Sequence, residues 1–196
     1  MKKLLLVLSA IGLLFILLLS VMRSSIETPE YEVLRVLTKK AEIRRYPSLV
    51  LAQTDLDSSA YSVNSSLGFR RVAGYIFGGN EKGEKIAMTS PVVMEMGDTP
   101  ALYFYMPFDR SLEALPATMD SSVRLEMQAS RTLAVLAFGG FAGNKELRKQ
   151  RRRLEAVLKK EGWIIQGPFL YMGYNAPWTL VGRRNEVAFE VRRSKP

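Results

Sequence analysis

Apolar residues follow two different periods along the chain, and the order of those periods predicts its architecture. Short runs rich in Val, Ile, Leu and aromatic residues indicate β-strands, whereas apolar residues at every third or fourth position indicate an amphipathic helix. In the first half these patterns predict strands at 31–37, 41–54, 84–96 and 101–108, with a helix from about 57 to 77 after the second strand. In the second half they predict strands at 123–128, 131–140, 163–175 and 185–191, with a helix at 145–161 after the second strand.

The two halves therefore share one order, strand–strand–helix–strand–strand. A faint sequence echo accompanies this order, because "LVLA" at 49–52 corresponds to "LAVL" at 133–136. Duplications of this kind build one fold from two related units. We predict an α+β domain: a distorted antiparallel eight-stranded β-barrel with two helices, built from two ββαββ repeats. Pro47 lies inside the second predicted strand and predicts a bend or an edge strand there.

The N-terminal stretch differs from the rest, because Leu4–Met22 is almost uniformly apolar. Its nineteen residues would span about 28 Å as a helix, which matches the hydrocarbon core of a bilayer. The predicted organisation is a signal anchor or transmembrane helix at 1–23, a polar tether at 24–30 and one domain at 31–196. Lys2 and Lys3 precede the apolar run, so the positive-inside rule predicts a membrane-anchored domain outside the cytoplasm, on the periplasmic or extracellular side. The alternative is cleavage as a signal peptide and secretion.

Composition narrows the chemistry of this domain. The chain has no His and no Cys, which removes the residues of most zinc sites and of most nucleophile–base pairs, and no metal site is predicted. Its formal net charge of +9 favours anionic partners. An exported domain rarely meets nucleic acid, so no nucleic-acid partner is expected. A monomer is expected.

Methionines are prominent in the predicted strand at 84–96. Met88, Met94 and Met96 alternate with polar or small residues and fall on one face together with Ile86 and Val92. Thioethers are ligands for Cu(I), but the other usual ligands of that metal are absent. We therefore interpret these methionines as core.

The first predicted helix has two contrasting faces. One face, Phe69, Val72, Ala73, Ile76 and Phe77, is predicted to pack on the sheet. The opposite face carries Leu67, Arg70, Arg71 and Gly74, with Tyr75 at its edge and no acidic partner. A planar ligand with carboxylate groups could lie over Gly74 while Arg70 and Arg71 bind the carboxylates. The alternative is a solvated cationic face.

Two further features leave alternatives open. The second helix contains "LRKQRRRLEAVLKK", which indicates a solvated basic face or contact with anionic headgroups. Catalytic motifs are missing, but a carboxylate such as Glu95 or Glu186 working with a tyrosine could act on a small substrate. A small-molecule hydrolase or isomerase is therefore one alternative function, and a ligand-free envelope interaction domain is another.

Four motifs together resemble the SOUL haem-binding protein family: "GYIFGGNEKGEKIAMTSPV", "LAFGGFAG", "YMGYNAPWT" and "GRRNEV". The resemblance covers about residues 30 to 191. It implies a distorted antiparallel β-barrel with two helices, similar in fold to gyrase-inhibitor-like small-molecule-binding domains. It also implies haem or another tetrapyrrole as ligand at the first helix, at the positions Leu67, Arg70, Arg71, Gly74 and Tyr75.

The chain departs from the family in ways that affect the ligand. One branch of the family is associated with an axial histidine, which this sequence lacks, and Ala188 stands where many members read "NEVW". Tyr75 is then the one nearby oxygen ligand for iron that the resemblance suggests. The expected function is non-catalytic binding of haem or another porphyrin in a hydrophobic and cationic groove without histidine ligation, as a carrier or buffer.

Overall fold

The computed structural model describes residues 26–57, 61–176 and 178–194. The predicted signal anchor at 1–23 lies outside these residues. Within the described part of the chain, no helix is both long enough and apolar enough to cross a bilayer.

Nine strands and two helices make up the domain. The strands are β1 Glu32–Thr38, β2 Ala41–Tyr46, β3 Leu49–Asp55, β4 Val92–Met96, β5 Ala101–Tyr105, β6 Val123–Gln128, β7 Arg131–Gly139, β8 Trp163–Gly173 and β9 Arg184–Arg193. The helices are α1 Tyr61–Ile76 and α2 Asn144–Lys160, and a short 3-10 turn covers Leu112–Ala114. The predicted α+β class is confirmed.

The strands form one antiparallel sheet with the order β1-β2-β7-β9-β8-β4-β5-β3-β6. The predicted closed eight-stranded barrel is wrong in two respects. The segment 41–54 forms two strands, because Pro47 lacks the N–H that a continuous ladder needs. β2 then pairs with β7, whereas β3 pairs with β5 and β6. The sheet is also open, with β1 and β6 at its edges.

The order ββαββ occurs twice, as β2-β3-α1-β4-β5 and as β6-β7-α2-β8-β9. The two units meet where β4 pairs with β8, in the register Val92↔Gly173, Met94↔Tyr171 and Met96↔Phe169. This β4–β8 pair is the centre of the sheet, and the two helices cover the strands on its two sides. α1 packs on β3, β5 and β6, and α2 packs on β7, β8 and β9.

The sheet has two packed faces. On the helix face, alternate residues of β4 (Val92, Met94 and Met96) join the larger core cluster with the helices. On the opposite face, Val93 and residues of six other strands form a second cluster without a helix. Arg131 of β7 donates hydrogen bonds to the hydroxyls of Tyr103 and Tyr105 of β5, four places away in the sheet order. The sheet therefore curves around its opposite face.

Two local expectations differ from the structure. The predicted strand at 84–96 begins only at Val92, because the preceding residues form a loop around buried Asn80. The Asn80 amide donates to the carbonyl of Tyr75, at the end of α1, and to that of Glu84 in the loop, at 3.0 and 2.7 Å, so the Glu84 carbonyl needs no strand partner. Phe77, predicted to pack on the sheet, is 59% exposed because α1 ends at Ile76.

Candidate functional site

A cavity of about 550 Å³ lies on the helix face, between α1 and the β4–β8 pair. Its volume falls within the range of small-molecule sites in proteins. Its lining comes from α1, from β4, β5 and β8, and from the β8–β9 loop: Ser66, Phe69, Arg70, Val92, Met94, Leu102, Tyr171, Gly173, Asn175 and Arg183. It is therefore built from both units of the fold.

Two glycines shape the cavity. At Gly68 a Cβ atom would lie 2.7 Å from Leu56 Cδ2 and 3.2 Å from Leu102 Cβ, so α1 is held tightly against β5 at this point. At Gly173 a Cβ atom would lie 3.0 Å from the hydroxyl of Tyr171. The absence of a side chain at Gly173 therefore leaves room for the Tyr171 ring in the cavity wall.

The walls are mainly apolar and well supported. Phe69 packs against Phe104 with ring centroids 5.3 Å apart. The Tyr171 hydroxyl donates to Asn185 Oδ1 at 2.9 Å, and Asn185 Nδ2 donates to the carbonyl of Gly140 at 2.8 Å. This chain of bonds orients the Tyr171 ring. The cavity therefore offers apolar surface whose aromatic walls are held in place by neighbouring side chains.

Two arginines give the cavity a positive charge. Arg70 is exposed, and no described residue accepts a hydrogen bond from it or forms an ion pair with it. Arg183 is half-buried and donates to the carbonyls of Ala176 and Thr179, at 3.2 and 2.9 Å. None of the described residues that line the cavity is acidic. An anionic group entering the cavity would therefore meet cations and no opposing carboxylate.

The five residues predicted for the site do not all meet at this cavity. Arg70 lines it, whereas Leu67, Arg71, Gly74 and Tyr75 are not among its lining residues. Gly74 is exposed, and a Cβ atom there would meet nothing within 4 Å. Arg71 lies near Asp120: the pKa of Asp120 is lowered first by hydrogen bonds from Ser122, and the Arg71 charge adds to this.

Tyr75, the suggested oxygen ligand, is only 2% exposed. Its hydroxyl donates to the carbonyl of Pro116 at 2.9 Å. Burial raises the pKa of Tyr75 to about 12, so the phenol stays protonated at neutral pH. A neutral phenol is a weaker iron ligand than a tyrosinate.

Sequence reasoning missed most of the cavity lining. Met94, predicted as core, is 2% exposed, and it also forms part of the cavity lining. Asn175 lies in the motif "YMGYNAPWT" and Arg183 in the motif "GRRNEV". Membership of these motifs is the one feature of the sequence that could have indicated the two residues. Residues from separate strands, such as Leu102 and Tyr171, are adjacent only because the sheet order brings them together.

The donor set bears on iron binding. With no His or Cys in the chain, the side chains of the cavity that could approach iron are the Met94 thioether and the Tyr171 hydroxyl. Among the described residues, no group of three or more acidic residues could hold a metal ion. The lining therefore fits the apolar ring and the acidic groups of a tetrapyrrole better than it fits a bare metal ion.

The two carboxylates considered for catalysis lie on the opposite face of the sheet. Glu186 is 1% exposed and accepts from Arg44 at 3.0 Å, from Tyr174 at 2.7 Å and from Arg184 at 2.9 Å. Glu95 is half-buried, 3.9 Å from Arg131 Nη1, and its burial raises its pKa. Neither residue lines the cavity.

The domain is an open antiparallel sheet with two helices, and its helix face carries a mainly apolar cavity lined by two arginines. The chain matches the SOUL heme-binding protein family over residues 26–190, and it belongs to that family.

Two groups of relatives have names that refer to haem. The chain is 30% identical to Heme-binding protein 2 of Homo sapiens over 164 residues, 79% of either chain. It is 27% identical to Heme-binding protein 1 of Xenopus laevis over 155 residues, 76% of this chain and 82% of the relative. Similarity to haem-binding proteins thus extends over most of the domain.

Solved structures with low sequence identity share the fold. The EcmrR C-terminal domain has a TM-score of 0.61 at 10% identity, covering 84% of this chain and 99% of that one. A hydrolase from Listeria innocua has a TM-score of 0.52 at 12% identity, covering 79% and 93%. These similarities support the architecture and say nothing about the ligand of this chain.

Proposed function

We propose that this chain binds haem or a related tetrapyrrole in the cavity between α1 and the β4–β8 pair, as a non-catalytic carrier or buffer. The observation that carries the proposal is an apolar cavity with an arginine of α1 at its edge, in a member of a haem-binding family. The proposed location is outside the cytoplasm, with Leu4–Met22 as the membrane anchor.

Each part of the cavity has a role in this proposal. Phe69, Val92, Met94 and Tyr171 supply the apolar contacts for the ring, which is the largest source of affinity for an apolar ligand. Arg70 binds a carboxylate of the ligand, because its guanidinium has no partner among the described residues. Ring contacts and charge pairing do not depend on a histidine, so a porphyrin without iron is expected to bind as well.

Adjacent arginines provide the first test. The full chain is titrated with hemin and with protoporphyrin IX in a fixed amount of nonionic detergent, so that partition of the ligand into detergent is common to all variants. Arg70→Ala should weaken binding about tenfold, the effect of losing a hydrogen bond between charged groups. Arg71→Ala is the matched control and should leave the affinity within about twofold. Unchanged spectra of both ligands with the wild-type chain would refute haem binding.

Tryptophan substitutions on the same helix separate the cavity from the predicted face. Ser66 and Gly74 are both exposed on α1, but only Ser66 lines the cavity. Ser66→Trp should obstruct the cavity and abolish binding, whereas Gly74→Trp should bind as the wild type does. The reverse result would move the site to the face formed by Leu67, Arg71, Gly74 and Tyr75.

A further inference from the structure

The β8–β9 loop, residues 174–183, exposes three large apolar side chains together. Trp178 is 80% exposed, Leu180 is 76% exposed and Val181 is 87% exposed. Phe141, from the loop between β7 and α2, is 60% exposed and lies under the guanidinium of Arg183, 4.7 Å from it. Single exposed apolar residues are ordinary, but a group of them on one loop indicates an interaction surface.

The loop is internally bonded in spite of this exposure. Arg183 bonds to the carbonyls of Ala176 and Thr179, the Thr179 amide donates to Ala176, and the Arg184 amide donates to Asn175 Oδ1 at 2.6 Å. These four bonds join the two ends of the loop, and the polar groups that take part in them cost less to remove from water than unbonded groups would. The apolar side chains point outward from a shape that is already formed.

The charge of the loop favours one kind of partner. Residues 174–184 contain no acidic side chain and include Arg183 and Arg184. Exposed Trp, Leu and Val next to arginines match the interface of a bilayer with anionic headgroups, where tryptophan is enriched and basic residues are attracted. Tryptophan and arginine are also enriched in protein–protein interfaces, so the position of the loop in the fold has to distinguish a lipid surface from a protein partner.

The position of the loop gives an independent argument. The Ser90 amide donates to the carbonyl of Glu27 at 2.8 Å, so the chain enters the domain just before β4. Val92, the first residue of β4, pairs with Gly173, the last residue of β8. The entry point of the chain and the start of the β8–β9 loop therefore lie at the same end of the β4–β8 pair.

The segment between the apolar run and Glu27 is too short to hold this end of the sheet far from a membrane. The apolar run Leu4–Met22 ends five residues before Glu27, and five extended residues span at most about 18 Å. If this run crosses a bilayer, the end of the sheet that carries the β8–β9 loop must lie close to the bilayer surface. Two separate features, the apolar loop and the short connection, thus select the same orientation.

We propose that the tip of the β8–β9 loop, Trp178, Leu180 and Val181, inserts into the interface of the membrane and fixes the orientation of the domain on it. Gly173, Asn175 and Arg183, which line the cavity, belong to the same end of the sheet and would then face the bilayer surface. This proposal concerns a lipid surface and does not depend on the identity of the ligand in the cavity.

Tryptophan fluorescence tests the proposal in the full chain. The protein has two tryptophans, so Trp163→Phe leaves Trp178 as the single reporter. The variant is reconstituted into vesicles of phosphatidylcholine and phosphatidylglycerol, with and without brominated phosphatidylcholine as a quencher. Inserted Trp178 should show a blue-shifted emission and at least roughly a twofold loss of intensity with the brominated lipid. The apolar run at 4–22 contains no tryptophan and gives no signal of its own.

The control places a tryptophan at the other end of the sheet. Thr99 is exposed in the turn after β4, a strand of five residues that spans about 17 Å. Thr99→Trp, in a chain with Trp163→Phe and Trp178→Phe, should be unquenched. If Trp178 is unquenched, or if both positions are quenched equally, the proposal is wrong. Should Trp163→Phe fail to fold, comparison of the wild type with Trp178→Phe isolates the same signal.

Discussion

Arginines on the two faces of the sheet have different environments. On the face opposite to the helices, Arg44 is 6% exposed and bonded to Glu42, Glu186 and Tyr46. On the helix face, Arg70 is exposed at the cavity and has no partner among the described residues. A buried charge must be compensated within the fold, whereas an exposed charge at an apolar cavity is available to a ligand. The difference separates a structural cluster from the candidate binding site.

The same contrast holds for tyrosines. Burial raises the pKa of Tyr174 well above its usual range, with the Glu186 carboxylate adding to this, so its phenol remains a donor to that carboxylate. On the helix face, Tyr171 uses its hydroxyl to bond Asn185 and leaves its ring in the wall of the cavity. A carboxylate and a tyrosine are close together at Glu186, but there they bond each other and the arginines, and they do not line the cavity.

The largest predicted effect tests the structural cluster. Glu186→Ala should lower the free energy of unfolding by about 3 kcal/mol, because it removes a partner of buried Arg44 and of Tyr174. Arg70→Ala, on the helix face, should change it by no more than about 0.5 kcal/mol. Urea denaturation followed by circular dichroism measures both. An undiminished stability of Glu186→Ala would mean that this cluster does not stabilise the fold.

Titration of Glu186→Ala with hemin tests whether this cluster also affects ligand binding. The variant should keep the wild-type affinity at a temperature where it is folded, since Glu186 lies outside the cavity. A strong loss of binding without unfolding would place the site on the opposite face.

Two neighbouring valines, one on each face of the sheet, allow a comparison with effects of intermediate size. Val92 lines the cavity, whereas Val93 points to the opposite face and is fully buried. Val93→Phe should destabilise the protein by about 1–3 kcal/mol, because a packed core has no room for the larger side chain. Val92→Phe should leave stability within about 1 kcal/mol and should lower the affinity for protoporphyrin IX about tenfold or more by filling the cavity.

Thermal and urea unfolding together with the porphyrin titration separate these two outcomes. Equal destabilisation by both valine substitutions would indicate that the space beside Val92 is filled in solution. Unchanged porphyrin binding by Val92→Phe would place the ligand outside the cavity.

Much of the fold could be predicted from the sequence because its signals are local. Runs of apolar residues predict all eight strand segments approximately, and the 3.6-residue period predicts α1 to within a few residues of Tyr61–Ile76. The ninth strand is missed because Pro47 predicts only a bend or an edge within one strand. The structure divides the segment there into two strands that pair with different neighbours. Closure was overestimated, since nothing local in a sequence specifies whether β1 and β6 meet.

The candidate site was only partly predictable, for a related reason. Arg70, which lines the cavity, is predictable because an arginine without a nearby acidic residue on a helix is visible in one segment. The rest of the cavity depends on the pairing of β4 with β8, which joins Met94 to Tyr171 across 77 positions of sequence. Tyr75 was assigned to the edge of the cationic face, but its side chain is buried through the long-range bond to Pro116. Long-range contacts decide which side of a helix meets a cavity.

The smallest predicted effect concerns Glu95, whose pKa is raised mainly by burial. A carboxyl with a raised pKa in the folded state favours folding below its unfolded pKa of about 4.3, and this contribution is lost as the pH rises through the folded value. Glu95→Gln cannot ionise and should be more stable than the wild type at pH 7, by about 1 kcal/mol or less, with the gap closing towards pH 4. Urea denaturation across this pH range measures the gap.

Asp55 provides a control of opposite sign for Glu95. Hydrogen bonds from Arg124, at 2.8 Å, lower the pKa of Asp55. This carboxylate therefore stabilises the fold above its unfolded pKa, and the contribution is lost as the pH falls. Asp55→Asn should be less stable than the wild type at pH 7, where Glu95→Gln is more stable. If Glu95→Gln is also less stable than the wild type at pH 7, the attraction between Glu95 and Arg131 outweighs the cost of burying the carboxylate. The face opposite to the helices would then compensate even its half-buried charges.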